Sequence, residues 1–468
     1  MHLADCLLLL LAGLLALSQG RQHSEHQGHS HHPHQEAPGT GKGFLSLRIS
    51  PGNTVFALHF YHLMVSQTPG SNIFFSPLSI SAAYAMLSLG AGSLSRTQIL
   101  EGLGFNLTEV SAPDTHQGFQ NLLHTLHLPD DRLEIHMGNA LFLSPEMPLL
   151  HDSLMTLRGS TSPNFYTPTS KPAGTAQLIN NHVKEETQGK IVDLVSGLSD
   201  RLVGPRMCLL PFFPPALWEK PFNPSMTIPQ DFYVDEVTTV KVPMMMQGPQ
   251  HHWYLHDRHF PCTVLRVDYK GDATALFILP NQGKMDEVEE VLTPEMLTRW
   301  RNLYFYKKIK LYIPKFIISG SYELDQILPK LGIIDLFSQR ADFSGITEQL
   351  NLQVSKSFHK AILEVDEVGT QASAATGSFF TFLSRDNQQA LWFNRPFLVA
   401  IFSTSTQSIL FLGKVVNPKK LQPPPRLERR AQRGQPSPGA GAVQAWSHLR
   451  PWGSGQYFSQ HRHSHGTH

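Results

Sequence analysis

Apolar residues recur along this chain with two different periods, and the change from one to the other divides it. In the first half Phe119, Leu122, Leu123 and Leu126 fall on one face of a helix. Nearby, Asn72–Ala91 (NIFFSPLSISAAYAMLSLGA) reads as a short strand entering a helix whose serine-rich face allows close packing. Beyond Trp218 the pattern becomes that of strands: VPMMMQ from Val242, TVLRVDY from Thr263, ALFILPN from Ala275, and Ile309, Leu311 and Ile313 at alternate positions. Two further apolar runs, Phe397–Phe402 and Ile409–Val416, are joined by STSTQS and predict a hairpin of buried strands. The pattern predicts an α+β body with helices concentrated early, strands late, and one large sheet.

The periodicity fails at both ends. Met1–Gly20 carries the apolar run Leu7–Leu17, too short to span a bilayer and followed by Ser18-Gln19-Gly20. It predicts a secretory signal over residues 1–20, although Asp5 precedes the run where lysine or arginine is usual. Residues 21–43 lack the apolar content to fold and carry His23, His26, His29, His31, His32 and His34. Imidazoles at this density can hold zinc or copper loosely, but no fixed ligand spacing accompanies them, so a solvated tail with no metal site is expected. The folded body is expected over 44–418. Residues 419–468 turn to Pro, Arg, Gly and Gln, include Arg426, Arg429, Arg430 and Arg433, end on His461, His463, His465 and His468, and predict a second disordered tail.

The pattern also fails inside the body. Leu202–Pro215 (LVGPRMCLLPFFPP) places Pro205, Pro211, Pro214 and Pro215 where a strand would otherwise run. Proline removes a ladder donor and is all but excluded from central strands. Met155–Gly174 is likewise rich in Gly, Ser and Pro, so the integrity of the sheet is in doubt over 155–215.

Lysine and arginine total 38 against 37 aspartates and glutamates, a formal charge of +1, which gives no general attraction to nucleic acid. Polyanion binding would need a local patch. One candidate is RWRNLYFYKKIK, where Arg299, Arg301, Lys307, Lys308 and Lys310 crowd a helix end and the next strand, although a solvated basic face explains it too. Of three cysteines, Cys6 would leave with the signal, and Cys208 and Cys262 are too few for a disulfide framework. Asn106-Leu107-Thr108 is a glycosylation sequon. The chain contains no G-x-S-x-G elbow, P-loop, G-x-G-x-x-G or C-x-x-C, and so offers no case for an enzyme or a cofactor.

One stretch suits no ordinary surface loop: Glu367–Ser384, EVGTQASAATGSFFTFLS. Gly369 frees the backbone for a sharp change of direction, and a run of mostly small residues leads to Phe379, Phe380, Phe382 and Leu383. On composition alone a buried strand beside a turn accounts for it. Together with Phe393–Pro418 (FNRPFLVAIFSTSTQSILFLGKVVNP), the T-x-G-K-I run at Thr187–Ile191 and W-E-K-P-F at Trp218–Phe222, it resembles the serpins, within their antitrypsin-like branch.

The resemblance implies a large central, mainly antiparallel sheet with smaller sheets, about eight or nine helices, and an exposed reactive loop. It implies a secreted, monomeric inhibitor with no nucleic-acid or membrane partner. The loop would be bait for a serine protease, cut at Leu383–Ser384, with Thr381 and Phe382 in the preceding pockets. A large apolar Leu383 suits a chymotrypsin-like or tissue-kallikrein-type enzyme; Arg385 is a competing bait outside the family register. The hinge, Glu367, Gly369, Thr370, Gln371, Ala372, Ser373, Ala374 and Ala375, would then insert as a new strand, with Gln371 and Ser373 replacing the family's Glu and Ala. The breach where insertion begins maps to Lys315, Glu367 and Trp218, the shutter below it to Ser76, Ser79 and His359, and the basic patch to a heparin or glycosaminoglycan site. The proline-rich segment, with Leu210 where the family has Asn, raises a second expectation: a non-inhibitory serpin that carries heparin or another ligand.

Overall fold

Most strands of the second half join one continuous sheet. The computed structural model describes residues 42–126, 136–142, 164–166, 172–186, 206–212, 216–302, 305–347, 353–370 and 389–419, with the single residues Gly189, Ile191 and Leu194. In the nine-stranded sheet, β1 (Ile73–Phe75), β16 (Ile409–Val415), β15 (Phe397–Ser403), β9 (Ala273–Pro280), β8 (Cys262–Asp268), β7 (Thr239–His256), β10 (Tyr306–Pro314) and β14 (Ala390–Trp392) lie side by side in that order, with β6 (Ile228–Tyr233) also against β7. β9, β15 and β16 are buried at every residue, which is why they read as unbroken apolar runs rather than alternation. The predicted hairpin is β15 and β16, antiparallel from Phe397 opposite Val415.

A second sheet has five strands in the order β11 (Phe316–Glu323), β12 (Lys356–Val365), β4 (Arg206–Phe212), β2 (His136–Phe142) and β3 (Asn164–Tyr166). It is mixed rather than mainly antiparallel, since β12 and β4 run parallel, as do β2 and β3. The short pair β5 (Ala216–Leu217) and β13 (Gly369–Thr370) completes the strands.

The interruption expected from the prolines does not occur in β4. That strand runs through Pro211 and pairs with β2 along its whole length. Its other neighbour, β12, accompanies it only from Arg206 to Leu209. Pro211 therefore sits in a stretch laddered on one side, where a missing donor costs less than in a strand paired on both. Pro205, Pro214, Pro215 and most of 155–174 lie outside the described residues.

Eight α-helices are present among the described residues: α1 (Lys42–Gln67), α2 (Pro77–Leu89), α3 (Ser93–Gly102), α4 (Ala112–Leu126), α5 (Pro172–Glu186), α6 (Met285–Glu290), α7 (Pro294–Arg301) and α8 (Leu324–Ile327). α2 is buried nearly throughout, and its serines Ser79, Ser81 and Ser88 leave room for close neighbours. α4 buries Phe119, Leu122, Leu123 and Leu126, the face that their spacing predicts. α1 is tied to the nine-stranded sheet by polar contacts: Asn53 Nδ2 donates to Ile409 O, and Tyr61 donates to Glu289 on α6, which also holds Lys414 of β16 at 2.9 Å. Both members of that ion pair are 4 % exposed.

Candidate functional site

β4 and β12 pair over four residues and then part. Beyond His359, β12 continues to Val365 against β11, while Leu210–Phe212 continue against β2. Among the described residues nothing occupies the slot between them. Because the two flanking strands are parallel, one strand running the opposite way would pair antiparallel with both.

The mouth of the slot is occupied. β13 lies antiparallel on β5, with Gly369 opposite Leu217 and Thr370 opposite Ala216. A tight turn delivers it there: Asp366 N–H donates to Gly369 O, and Asp366 Oδ1 accepts the N–H groups of Val368 and Gly369 at 3.0 and 3.1 Å. Asp366 therefore makes the change of direction that the sequence assigned to Gly369. Gly369 is needed for a different reason, since a Cβ there would lie 1.9 Å from Ala216 O. Only glycine lets the hinge lie this close to the neighbouring backbone.

Lys315, Glu367 and Trp218 come together at this turn. The Trp218 indole N–H donates to Asp366 O at 2.9 Å, its backbone N–H donates to Val368 O, and its ring stacks on Tyr269 at 4.4 Å. Glu367 accepts from Lys315 Nζ and from Thr227 Oγ1, each at 2.8 Å. Burial pushes the Glu367 carboxyl up, but the hydrogen bonds from Lys315 and Thr227 outweigh it and hold the group below the usual carboxylate range. The same contact raises Lys315. Gln371, Ala372, Ser373, Ala374 and Ala375, the predicted bond Leu383–Ser384, its neighbours Thr381 and Phe382, and the competing Arg385 lie outside the described residues.

Ser76, Ser79 and His359 also meet, at the closed lower end of the slot. Ser76 caps α2, its Oγ accepting Ser79 N–H, and Pro77 fills the first helical position where no donor is missed. Ser76 N–H in turn donates to His359 Nε2 at 3.0 Å. An imidazole nitrogen that accepts carries no proton, so this ring is the neutral Nδ1–H tautomer. Directly across the ladder from His359, Tyr322 stacks on its ring and accepts Phe74 N–H through its hydroxyl.

The basic residues divide. α7 is started by the Thr293 cap and Pro294, and ends with Arg299 and Arg301 in its last turn, where cations suit the helix dipole. Residues two apart on a helix face different ways. Arg299 reaches the buried Asp257, whereas Arg301 donates to Gln407 O and Oε1 between β15 and β16 and lies over the Phe402 ring. Arg301 is thus not part of the cluster in which the sequence placed it. Lys307 and Lys308 are exposed on β10, and Lys310 falls where the pairing with β7 skips a residue. Arg299 and Lys307 line an open groove of about 730 Å³ with Tyr254, His256, Asp257, Arg258, His259, Asn302 and Phe305. Its other wall, His256–His259, was missed in the sequence because it falls in a turn between two strand patterns; the run HDRH was the available signal.

Burial of the Asp257 carboxyl raises it, but donation from Trp300 Nε1, from the His259 and Phe260 N–H groups and from Arg299 prevails, so it stays ionised. Away from these sites, Asn106 is exposed in a turn where its Oδ1 accepts from Thr108 N–H and Oγ1. Cys262 is a free, buried thiol pushed up to about 12 by burial and by Asp257. No helix among the described residues is long and apolar enough to cross a membrane.

Comparison with known proteins agrees with this architecture. The family profile Serpin (serine protease inhibitor) matches residues 51–418. Human kallistatin is 62 % identical over 429 residues, covering 90 % of this chain and all of that protein. The crystal structure of human glycosylated kallistatin superposes with a TM-score of 0.76 over 80 % of this chain and 99 % of its own. That of cleaved kallistatin complexed with heparin, also 62 % identical, gives 0.66 over 69 % of this chain and 96 % of its own. A slot with a hinge at its mouth, a matching profile and close relatives on the same fold lead to one conclusion: the chain belongs to the serpins, a family of serine protease inhibitors.

Proposed function

We propose that the protein is a secreted suicide substrate for a chymotrypsin-like or tissue-kallikrein-type serine protease, cut at Leu383–Ser384 and captured by insertion of residues from Gly369 onward. The observation that carries this reading is the hinge seated at the mouth of an open slot, with β13 already antiparallel to β5. The protease's serine attacks the Leu383 carbonyl and forms an acyl-enzyme, which water would ordinarily release. Insertion competes with that release. A strand that has begun to pair needs no separate nucleation, and small residues pass the flanking backbones without a clash. The nucleophile belongs to the partner protease.

The basic face is the second part of the proposal. Arg299, Lys307, Lys308 and Lys310 would hold heparin or a related glycosaminoglycan, a reading supported by Arg299 and Lys307 lining one groove, by Lys308 and Lys310 following Lys307 along β10, and by the heparin complex of cleaved kallistatin. We also propose glycan attachment at Asn106, a signal over 1–20, a serpin body over 44–418 and unfolded tails on either side of it.

Mixing the secreted protein with chymotrypsin or a tissue kallikrein should give a complex that survives denaturing electrophoresis. Clean cleavage at Leu383 with no such complex would overturn the inhibitory reading. Heparin affinity should drop about tenfold or more in Lys307→Ala/Lys308→Ala at low salt, as two ionic contacts are lost; unchanged affinity would remove the basic-face proposal.

A further inference from the structure

The groove beside Lys307 has a second basic wall, on the connection between β7 and β8. It is held in place from below. Buried Asp257 accepts the N–H groups of His259 and Phe260, which closes the turn, and it also receives Trp300 Nε1–H and the Arg299 guanidinium from α7. One carboxylate thus fixes the turn and ties it to the helix that supplies the opposite wall. Having done so, Asp257 is spent: it is covered by the protein and neutralised by Arg299, and among the described residues it is the only carboxylate that lines the groove.

What the turn presents outward is basic or able to become so. His256, Arg258 and His259 are all exposed and all line the groove. The charged groups that face the two imidazoles are Asp257 and Arg258 on their own turn, Arg299 on α7 and Lys307 on β10; from β8, Thr263 Oγ1 lies 3.1 Å from His256 Nδ1. Phe305, 63 % exposed, adds flat apolar surface against which a sugar ring can rest, while Tyr254 lies buried beneath Lys307, whose Nζ sits 5.8 Å from its ring centre.

We propose that His256, Arg258 and His259 form a second contact wall for a sulfated polysaccharide, and that protonation of the two imidazoles makes the groove bind it more tightly at about pH 6 than at about pH 7.4. The inference rests on the polyanion reading of the groove given above. Arg299 is shared with Asp257, so Lys307 and Arg258 supply the unpaired charge of the groove, and an imidazole adds to it only in its protonated form. Charges that line one groove act together on a bound polyanion, the more so at low salt.

The test measures affinity of the full-length protein for a heparin oligosaccharide of defined length at pH 7.4 and pH 6.0, at one fixed ionic strength. The wild-type affinity should rise roughly three- to tenfold on acidification. In His256→Gln/His259→Gln the ratio between the two pH values should fall to near one. In Arg258→Gln affinity should drop at both pH values while the ratio persists. A flat wild-type profile, or a double variant that keeps the full rise, overturns the inference; the second result would place the effect in histidines elsewhere, such as those near the two ends of the chain. Failure of the underlying polyanion reading looks different: no heparin binding at either pH, or binding unmoved by Lys307→Ala/Lys308→Ala.

Discussion

Gly369→Ala puts a single methyl group where the hinge meets the sheet. The added Cβ would sit 1.9 Å from Ala216 O and 2.8 Å from both Ala216 C and Leu217 Cα, all backbone atoms that no side-chain rotation can move aside. Ordinary contact begins at 3.4 Å, so the hinge must back away by about 1.5 Å. A shift of that size breaks the two-residue ladder between β13 and β5. At about 0.5–1.5 kcal/mol for each of two hydrogen bonds, the seated hinge loses about 1–3 kcal/mol. If insertion must begin from this unseated position, the same amount added to its barrier slows it by roughly 5- to 150-fold. Deacylation by the protease is unaffected, so more encounters end in release. The assay is the number of inhibitor molecules consumed per protease inactivated, which should rise several-fold, together with tryptophan emission, because Trp218 donates both its N–H groups to this turn. An alanine variant with wild-type emission and unchanged stoichiometry would refute the seating of the hinge on β5.

Three further outcomes follow from buried or shielded charges. Lys315→Ala leaves the Glu367 carboxylate with Thr227 and a backbone N–H but no cation, and should cost about 1 kcal/mol, a modest figure because Lys315 is 43 % exposed. Since the Glu367 carboxyl is held low, the contribution of the pair is present above the ordinary carboxylate range and fades as pH falls through the lowered value; acid titration of hinge stability should show this limb in the wild type and not in the variant. Lys414→Met abandons Glu289 in the interior with Tyr61 as its one donor side chain among the described residues and should cost about 3–5 kcal/mol in urea unfolding, with the double change Lys414→Met/Glu289→Leu costing less than the single one. His252 is pulled down to about 4 by burial and by Lys220 and His251, so the unfolded chain takes up a proton between about 6.5 and 4 that the folded chain refuses. Stability should therefore fall on acidification through that window, and the slope should flatten in His252→Gln.

Much of this architecture was legible because burial leaves a direct mark on sequence. β9, β15 and β16 are covered on both faces and read as continuous apolar runs, and α4 is wet on one side and shows its period. Long-range pairings were legible only through family resemblance: nothing local joins Lys315 to Glu367, or Ser76 to His359 across most of the chain. Pro211 would break β4 only if that strand were paired on both sides there, and the missing neighbour is a property of tertiary arrangement. The basic residues divide differently in space than along the chain for a related reason. Spacing along the chain put Arg299 beside Arg301, and helical geometry sent them to different partners while bringing in Arg258, His256 and His259 from some forty residues earlier.

The parallel course of β4 and β12 has one more consequence. A vacancy bounded by two backbones recognises little except another backbone, so any extended segment of suitable direction and slender side chains could fill it, including one from a neighbouring molecule. Selectivity then depends on tethering. The chain's own hinge is held at millimolar effective concentration or above, far beyond what a stranger reaches in dilute solution. On the proposed mechanism, Gly369 and Thr370 lodged in the opening would both prime the chain's own strand and block the doorway against others.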